Sequence, residues 1–474
     1  MDNLDFNKVL ENLSTFCRTY IAKNFALKLK PNTEKIEVQK SLDETEEALN
    51  LIYKNSSPAF DELTDITLSI QILENEGTLS AKQILDLAKI LRNSENLKNY
   101  FIKDFIDERS FPILSYFFNS LYCNKNIADR VFKCILDENT FDDKASPKLN
   151  SIRRNQKNLD QNIKQKLTNM IHSNALSKYI QESIVTIRDD RYVILVKSED
   201  RSKVNGFVHD ISNGGATVFI EPTVIFEMNN ELNSLKVEEE LEIEKILKDL
   251  SSMFYEFTNE LKNDFEIISK LDFIFAKAQY GKSLNAIIPK INDKKEINLI
   301  NARHPLIEKK QVVPICINLG KDFSVLIITG PNTGGKTVCL KTVGLLELMA
   351  CSGLSIPVDL GSSIYVFDNI FADIGDNQSI LDSLSTFSSH ILNIKEITKK
   401  STSNSLILLD ELGAGTDPIQ GSSLAISILD FFYKKECLII STTHYQELKQ
   451  YAFITKRFWK CFSRFWYRNI ISNI

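Results

Sequence analysis

Apolar residues recur three and four positions apart through most of the first 300 residues, and the pattern changes character after that. The stretch "LSAKQILDLAKILRNSENLKNYF" (79–101) is typical of the first part, with Ser80 placed to cap a helix. Residues 1–135 therefore read as a helical core. From Ser146, the positions Leu149, Ile152, Leu159, Ile163 and Met170 alternate by threes and fours, interrupted by Gln156 and Lys166. Ile243, Ile246, Leu250, Met253 and Phe257 answer with the same spacing, which predicts an antiparallel pair of long helices. At 1.5 Å per residue, such helices of about 28 residues reach roughly 40 Å. Between them, 184–222 alternates with β-branched residues and turns at Asn213-Gly214-Gly215, the pattern of a small antiparallel β element at the far end of the pair.

In the last third, short apolar runs end in turn and loop residues. "SVLIIT" (324–329), "SLILLDE" (405–411) and "CLIISTTH" (437–444) read as buried parallel strands. Glycine follows the same division: five of the 16 lie in residues 1–300 and eleven in 301–474. Packed helices need few glycines, whereas strands joined by tight loops need many.

Composition adds limits. The chain of 474 residues exceeds what one core supports, so two or three domains are expected. Its formal net charge is -5, so any nucleic-acid surface must be a local patch. Such a patch is at hand. Residues 148–174 carry Lys148, Arg153, Arg154, Lys157, Lys164 and Lys166 against Asp160 alone, while 231–250 carry seven acids against three lysines. Arg188, Arg191, Lys197, Arg201 and Lys203 mark the β element, either as a solvated rim or as phosphate contacts. Eight cysteines stand without any C-x-x-C pair, which argues against zinc and disulfides and suits a reducing cytosol. With no signal-like start and no run of 18 apolar residues, a cytoplasmic chain is expected.

The chemistry gathers at the strand ends. After "SVLIIT" come Gly330, Pro331, Asn332, Thr333, Gly334, Gly335, Lys336 and Thr337, a match to G-x-x-x-x-G-K-[ST] in the strand, loop, helix order that motif requires. Its backbone N–H groups would cradle phosphates, Lys336 would reach the β and γ phosphates, and the Thr337 hydroxyl would ligate magnesium. Asp410 is placed to hold magnesium through water, and Glu411 to activate the attacking water. His444 ends the third strand, where it would sense the γ-phosphate from the same carboxyl edge. The cofactors implied are ATP and Mg2+.

Together "GPNTGGKT", "SLSTFSSH" (383–390), "LLDELGAGTDP" and "STTHYQEL", preceded by "NARHPLI" (301–307), resemble the ATPase of the MutS family, a branch of the ABC-type ATPases. The resemblance implies ATP held between two subunits of a homodimer, with Ser385 touching the partner's γ-phosphate and "GAGTDP" along the seam. It implies a multidomain α plus α/β fold. A helical core (1–135) carries a clamp arm (136–270) with its β tip, then a return segment (271–300) leads to an ABC-type P-loop ATPase domain (301–456). The chain begins on core helices without a mismatch-reading domain, and Phe219-Ile220-Glu221 reads as ordinary strand. This organisation resembles the MutS-two branch, which is linked to suppression of recombination through branched DNA and, in some bacteria, to splitting stalled ribosomes through rRNA. The endonuclease of that branch resides in a Smr domain, to which no stretch here corresponds.

After Thr455 the family text would resemble "NASVEFD" and then "LSPTY", but the sequence reads "KRFWKCFSRFWYRNIISNI" and holds both tryptophans, Trp459 and Trp466. One AT-rich coding of Arg457 onward, read one base later, yields "DFGNASVDFGIETLSPT". Residues 457–474 are therefore expected to be out of frame, a truncation leaving the sheet with an open edge, the dimer helices missing and activity impaired.

Overall fold

The computed structural model describes residues 2–103, 108–330, 335–375, 386–414 and 416–462. It is a mixed helical and α/β molecule with several sheets. The chain divides into two compact units, one of residues 65–95 and 122–264, the other of residues 1–64, 96–121 and 265–474.

The first unit is organised by helices α1 (Pro147–Ile171) and α2 (Phe226–Ser252). Ser146 caps α1 by accepting the Leu149 amide at 3.0 Å, and Pro147 takes the first helical position, where its missing N–H costs nothing. The helices run antiparallel, because contacts that advance along α1 retreat along α2. Ser146 Oγ donates to Glu242 at 2.6 Å, Arg153 Nε to Glu239 at 2.7 Å and Gln156 to the Leu235 carbonyl at 3.0 Å. The buried face of α1 is Leu149, Ile152, Ile163, Leu167 and Ile171, so the apolar stripe shifts by one position in the last two turns relative to the spacing that includes Met170. The shift turns Leu167 and Ile171 onto the neighbouring sheet, whose residues Tyr192, Ile194 and Ile220 share their core.

That sheet comprises β1 (Ile180–Arg188), β2 (Arg191–Lys197), β3 (Gly206–Ile211) and β4 (Thr217–Pro222), antiparallel in the order β1-β2-β4-β3. Asp189 and Asp190 turn the β1–β2 hairpin with φ of 47° and 61°, the left-handed pair that suits a two-residue loop. Glu221, read from the sequence as ordinary strand, is fully buried. Its carboxylate accepts from Arg191 at 2.8 Å and Asn229 at 2.7 Å and lies 2.6 Å from His209. A buried carboxylate is tolerated because each oxygen has a partner. Arg191 is thereby committed to the interior. Arg188 lies over the Phe219 ring at 4.3 Å and 3.4 Å from Asp210.

The second unit holds a five-stranded, all-parallel sheet. In chain order its elements are β5 (Val325–Thr329), α3 (Lys336–Cys351), β6 (Asn369–Asp373), α4 (Thr386–Lys400), β7 (Ser405–Leu409), α5 (Pro418–Lys434), β8 (Leu438–Thr443), α6 (Gln446–Ile454) and β9 (Phe458–Phe462). The strand order is β6-β7-β8-β5-β9. Every residue of β5, β7 and β8 is buried, as expected of strands covered on both faces. Alternation sends Leu326, Ile328, Leu406, Leu408 and Ile440 to a core shared with α3, and Val325, Ile327, Ile407, Leu409 and Ile439 to one shared with α4, α5 and α6. Helix α3 is buried nearly all round, and Gly344 permits its approach, since a Cβ there would stand 2.6 Å from a Leu408 methyl.

Beside β5 lies β9, which is the outermost strand on that side among the described residues. Phe458 pairs with Val325 and Phe462 with Thr329 in parallel register. The pairing is held by burial of Phe458 against Tyr433 and Tyr451, at ring separations of 5.3 and 5.5 Å. A smaller four-stranded sheet uses Lys290–Ile291, Ile297–Ala302, Ile315–Leu319 and Ser363–Ile364. Among the described residues, no helix is long and apolar enough to cross a membrane.

Candidate functional site

Strands β5, β7 and β8 end at one edge of the parallel sheet, and the residues that follow each of them meet there. From β5 the chain passes Gly330 to Gly335, which takes a left-handed φ of 75° and starts α3. A Cβ on Gly335 would meet nothing within 4 Å, so glycine serves the left-handed backbone turn and not a close approach. That end carries the positive pole of α3.

Thr337, in the first turn of α3, donates to Asp410 Oδ2 at 2.6 Å. Thr442, in β8, donates its hydroxyl to the other carboxylate oxygen, and the same Oγ1 accepts the Glu411 amide at 2.8 Å. The Asp410 amide donates to the Asp373 carbonyl at 2.9 Å. Asp410 is thus fixed from both neighbouring strands and from α3. Glu411 has φ of 47°, an unfavourable region for a residue with a side chain, and the turn directs its carboxylate towards β8. Its Oε1 lies 3.3 Å from His444 Nε2.

Lys336 is almost wholly buried. Its Nζ donates to the Gly330 carbonyl at 2.9 Å and lies 2.6 Å from His444 Nε2. Burial lowers its pKa, and the carboxylates of Glu411 and Asp410 work against that shift. The ammonium, the imidazole and the Glu411 carboxylate therefore form a chain around one atom, His444 Nε2.

The structure brings Lys336, Thr337, Asp410, Glu411 and His444 together with Gly330 and Gly335. Pro331, Asn332, Thr333, Gly334 and Ser385 lie outside the described residues. Two participants were not singled out in the sequence. Thr442 stands two positions before His444 on a strand whose residues point alternately to opposite faces, and Asp373 ends an apolar strand as Asp410 nearly does. Both could have been found by asking which polar residues share the carboxyl edge.

The donor set suits a small hard cation. A hydroxyl and a carboxylate oxygen 2.6 Å apart, with the second carboxylate oxygen steadied by Thr442, are the oxygen ligands magnesium accepts.

Comparison with known proteins bears on the same residues. The MutS domain V family matches residues 326–461, from within β5 to Cys461 of β9. The Endonuclease MutS2 of Acetivibrio thermocellus is 45% identical over 453 residues, covering 96% of this chain and 57% of the relative. That of Finegoldia magna is 44% identical over 456 residues, covering 96% and 58%, and that of Clostridioides difficile 45% identical over 449 residues, covering 95% and 57%. The chain belongs to the MutS2 family. Within this MutS2-family chain the matched segment contains Lys336, Thr337, Asp373, His390, Asp410, Glu411, Thr442 and His444, and it runs past Arg457 into β9. The chain spans under three-fifths of the length of these curated relatives.

Proposed function

We propose that this chain binds and hydrolyses ATP with Mg2+ at the carboxyl edge of its parallel sheet, as the ATPase domain of a clamp that acts on branched or otherwise structured DNA. The observation that carries the nucleotide reading is the 2.6 Å contact between Thr337 and Asp410, which joins the start of α3 to the end of β7 beside Lys336, Glu411 and His444. Ligands of open parallel sheets bind at this edge, and a helix N-terminus there favours phosphate.

On this reading Thr337 Oγ1 and Asp410 hold magnesium, which supplies positive charge to the β and γ phosphate oxygens when bound. Lys336 exchanges its contact with the Gly330 carbonyl for a phosphate oxygen, a charge-assisted pairing in place of a neutral one. Glu411 accepts a proton from the attacking water at its carboxylate. His444, between Lys336 and Glu411, orients that carboxylate and loses its lysine contact when Lys336 turns to phosphate. Dimer formation, with Ser385 completing a partner's site, belongs to the same proposal.

The DNA part of the reading is supported by the family and by the composition of α1. Of its cations, Lys148, Arg153 and Lys164 are paired with acids, while Arg154, Lys157 and Lys166 are exposed. The helices α1 and α2 with their sheet would form the clamp arm.

Glu411→Gln decides the enzymatic assignment. Its turnover should fall by about a hundredfold or more with ATP binding retained, whereas Asp410→Asn and Thr337→Val should raise the Mg2+ concentration needed for tight ATP binding. Unchanged turnover in Glu411→Gln, measured by phosphate release, would remove Glu411 from the reaction.

A further inference from the structure

Asp373 is attached to α4 by its side chain and to Asp410 by its main chain. The carboxylate, 7% exposed, accepts from His390 Nδ1 at 2.9 Å through Oδ2 and from Asn393 Nδ2 at 2.8 Å through Oδ1. His390 and Asn393 are three residues apart and share one face of α4. The carbonyl of the same Asp373 accepts the amide of Asp410 at 2.9 Å.

The position of this residue gives the arrangement its leverage. Asp373 and Leu409 form the last register pair between β6 and β7, so the bond from the Asp410 amide lies just beyond the regular ladder. Strand β6 is the outer strand and, among the described residues, pairs with no strand but β7, although Asn3 Nδ2 donates to its Ala372 carbonyl at 3.4 Å. A displacement of α4 pulls on the Asp373 carboxylate, and the terminal rung is the first to yield. Past that rung, the Asp410 main chain sets the aim of the carboxylate that meets Thr337 and Thr442.

We infer that Asp373, His390 and Asn393 form a joint that passes the position of α4 to the Asp410 carboxylate, with His390 and Asn393 as positioning residues. The consequence for magnesium rests on the nucleotide reading above. Helix α4 follows directly on Ser385 in the chain, so the joint lets events at that segment reach the Thr337–Asp410 pair through the sheet, without contact with nucleotide.

The test is hydrogen–deuterium exchange of the full chain without nucleotide, resolved at the Asp410 amide. His390→Ala and Asn393→Ala should each speed exchange at Asp410 by about tenfold, the loss of one hydrogen bond to a charged group, with β5 and β8 unchanged. His390→Gln keeps a donor and should restore exchange to within about twofold of the parent. Equal exchange at Asp410 in parent and both alanine variants overturns the joint, as does faster exchange spread over the whole sheet. A second measurement follows a fluorescent ATP analogue against Mg2+. A midpoint raised about threefold or more in His390→Ala, with affinity for the Mg2+-free nucleotide unchanged, supports the link to Asp410. An unshifted midpoint in a protein that does bind the analogue overturns that link and leaves the nucleotide reading intact. Absence of binding in the parent, together with altered Asp410 exchange in the variants, rejects the nucleotide reading and leaves the joint standing.

Discussion

Glu347 sits fully buried in α3, three turns after Lys336. Burial, only partly offset by the Tyr365 backbone amide, pushes its carboxyl well above the ordinary 4.5. The folded chain thus keeps a proton that the unfolded chain releases above about pH 4.5. By linkage, the cost of keeping this group protonated is absent below that pH and grows as pH rises towards the folded-state value. Glu347→Gln should therefore melt higher than the parent at pH 8, by about 2 °C or more, with a smaller gap at pH 5. Calorimetry at the two pH values checks this, and equal gaps would contradict it. The gathering of Lys336, Thr337, Asp410, Glu411 and His444 was legible because each lies in a contiguous motif at the end of an apolar run. Thr442 and Asp373 were legible only as polar residues at strand ends, and His390 and Asn393 not at all, because their partners stand on other elements and no spacing relates them. Glu347 was hidden for a related reason: a charged residue in a helix reads as solvent-facing until the layers on both sides are known.

At the scale of elements, α1, α2 and the parallel strands follow from periodicity, since burial on one face or on both leaves distinct patterns. The last two turns of α1 depart from the spacing because they pack on the sheet as well as on α2. Strand β9 was not legible. A tail whose composition breaks with the preceding text gives no pattern to extend, and its pairing rests chiefly on Phe458, with Cys461 packed against the other core. Phe458 is 6% exposed between two tyrosines, whereas Trp459 is 57% exposed and stacks on Phe323 at 5.6 Å. Phe458→Ala should lower the stability of this unit by about 3 kcal/mol and Trp459→Ala by under about 1 kcal/mol in urea unfolding. Similar small losses for both would show that β9 does not hold the sheet edge.

For the whole molecule, which segments share a unit is set by contacts between residues far apart in the chain. Leu79 donates to Ser251 at 2.9 Å and Ser94 to Asp264 at 2.6 Å, separations of 172 and 170 residues that no local pattern announces. Charge is distributed just as unevenly, with an acidic total and a basic α1. If α1 meets DNA phosphates, replacing Arg154, Lys157 and Lys166 by Glu should weaken binding to a four-way junction. The slope of log affinity against log salt should then fall in magnitude by about 3. An unchanged slope in a salt series would place the DNA contact elsewhere.

Glu411 keeps a left-handed backbone that glycine would adopt without strain. Glu411→Gly is accordingly expected to equal or exceed the parent in thermal stability while hydrolysing no ATP, and a loss greater than about 1 kcal/mol would show that the conformation is not strained. With Glu411 as the proposed base, stability and activity would draw the sequence in opposite directions here. A chain released from selection for hydrolysis would be free to exchange this glutamate for glycine, and relatives that have done so would be recognisable as binders that no longer turn over.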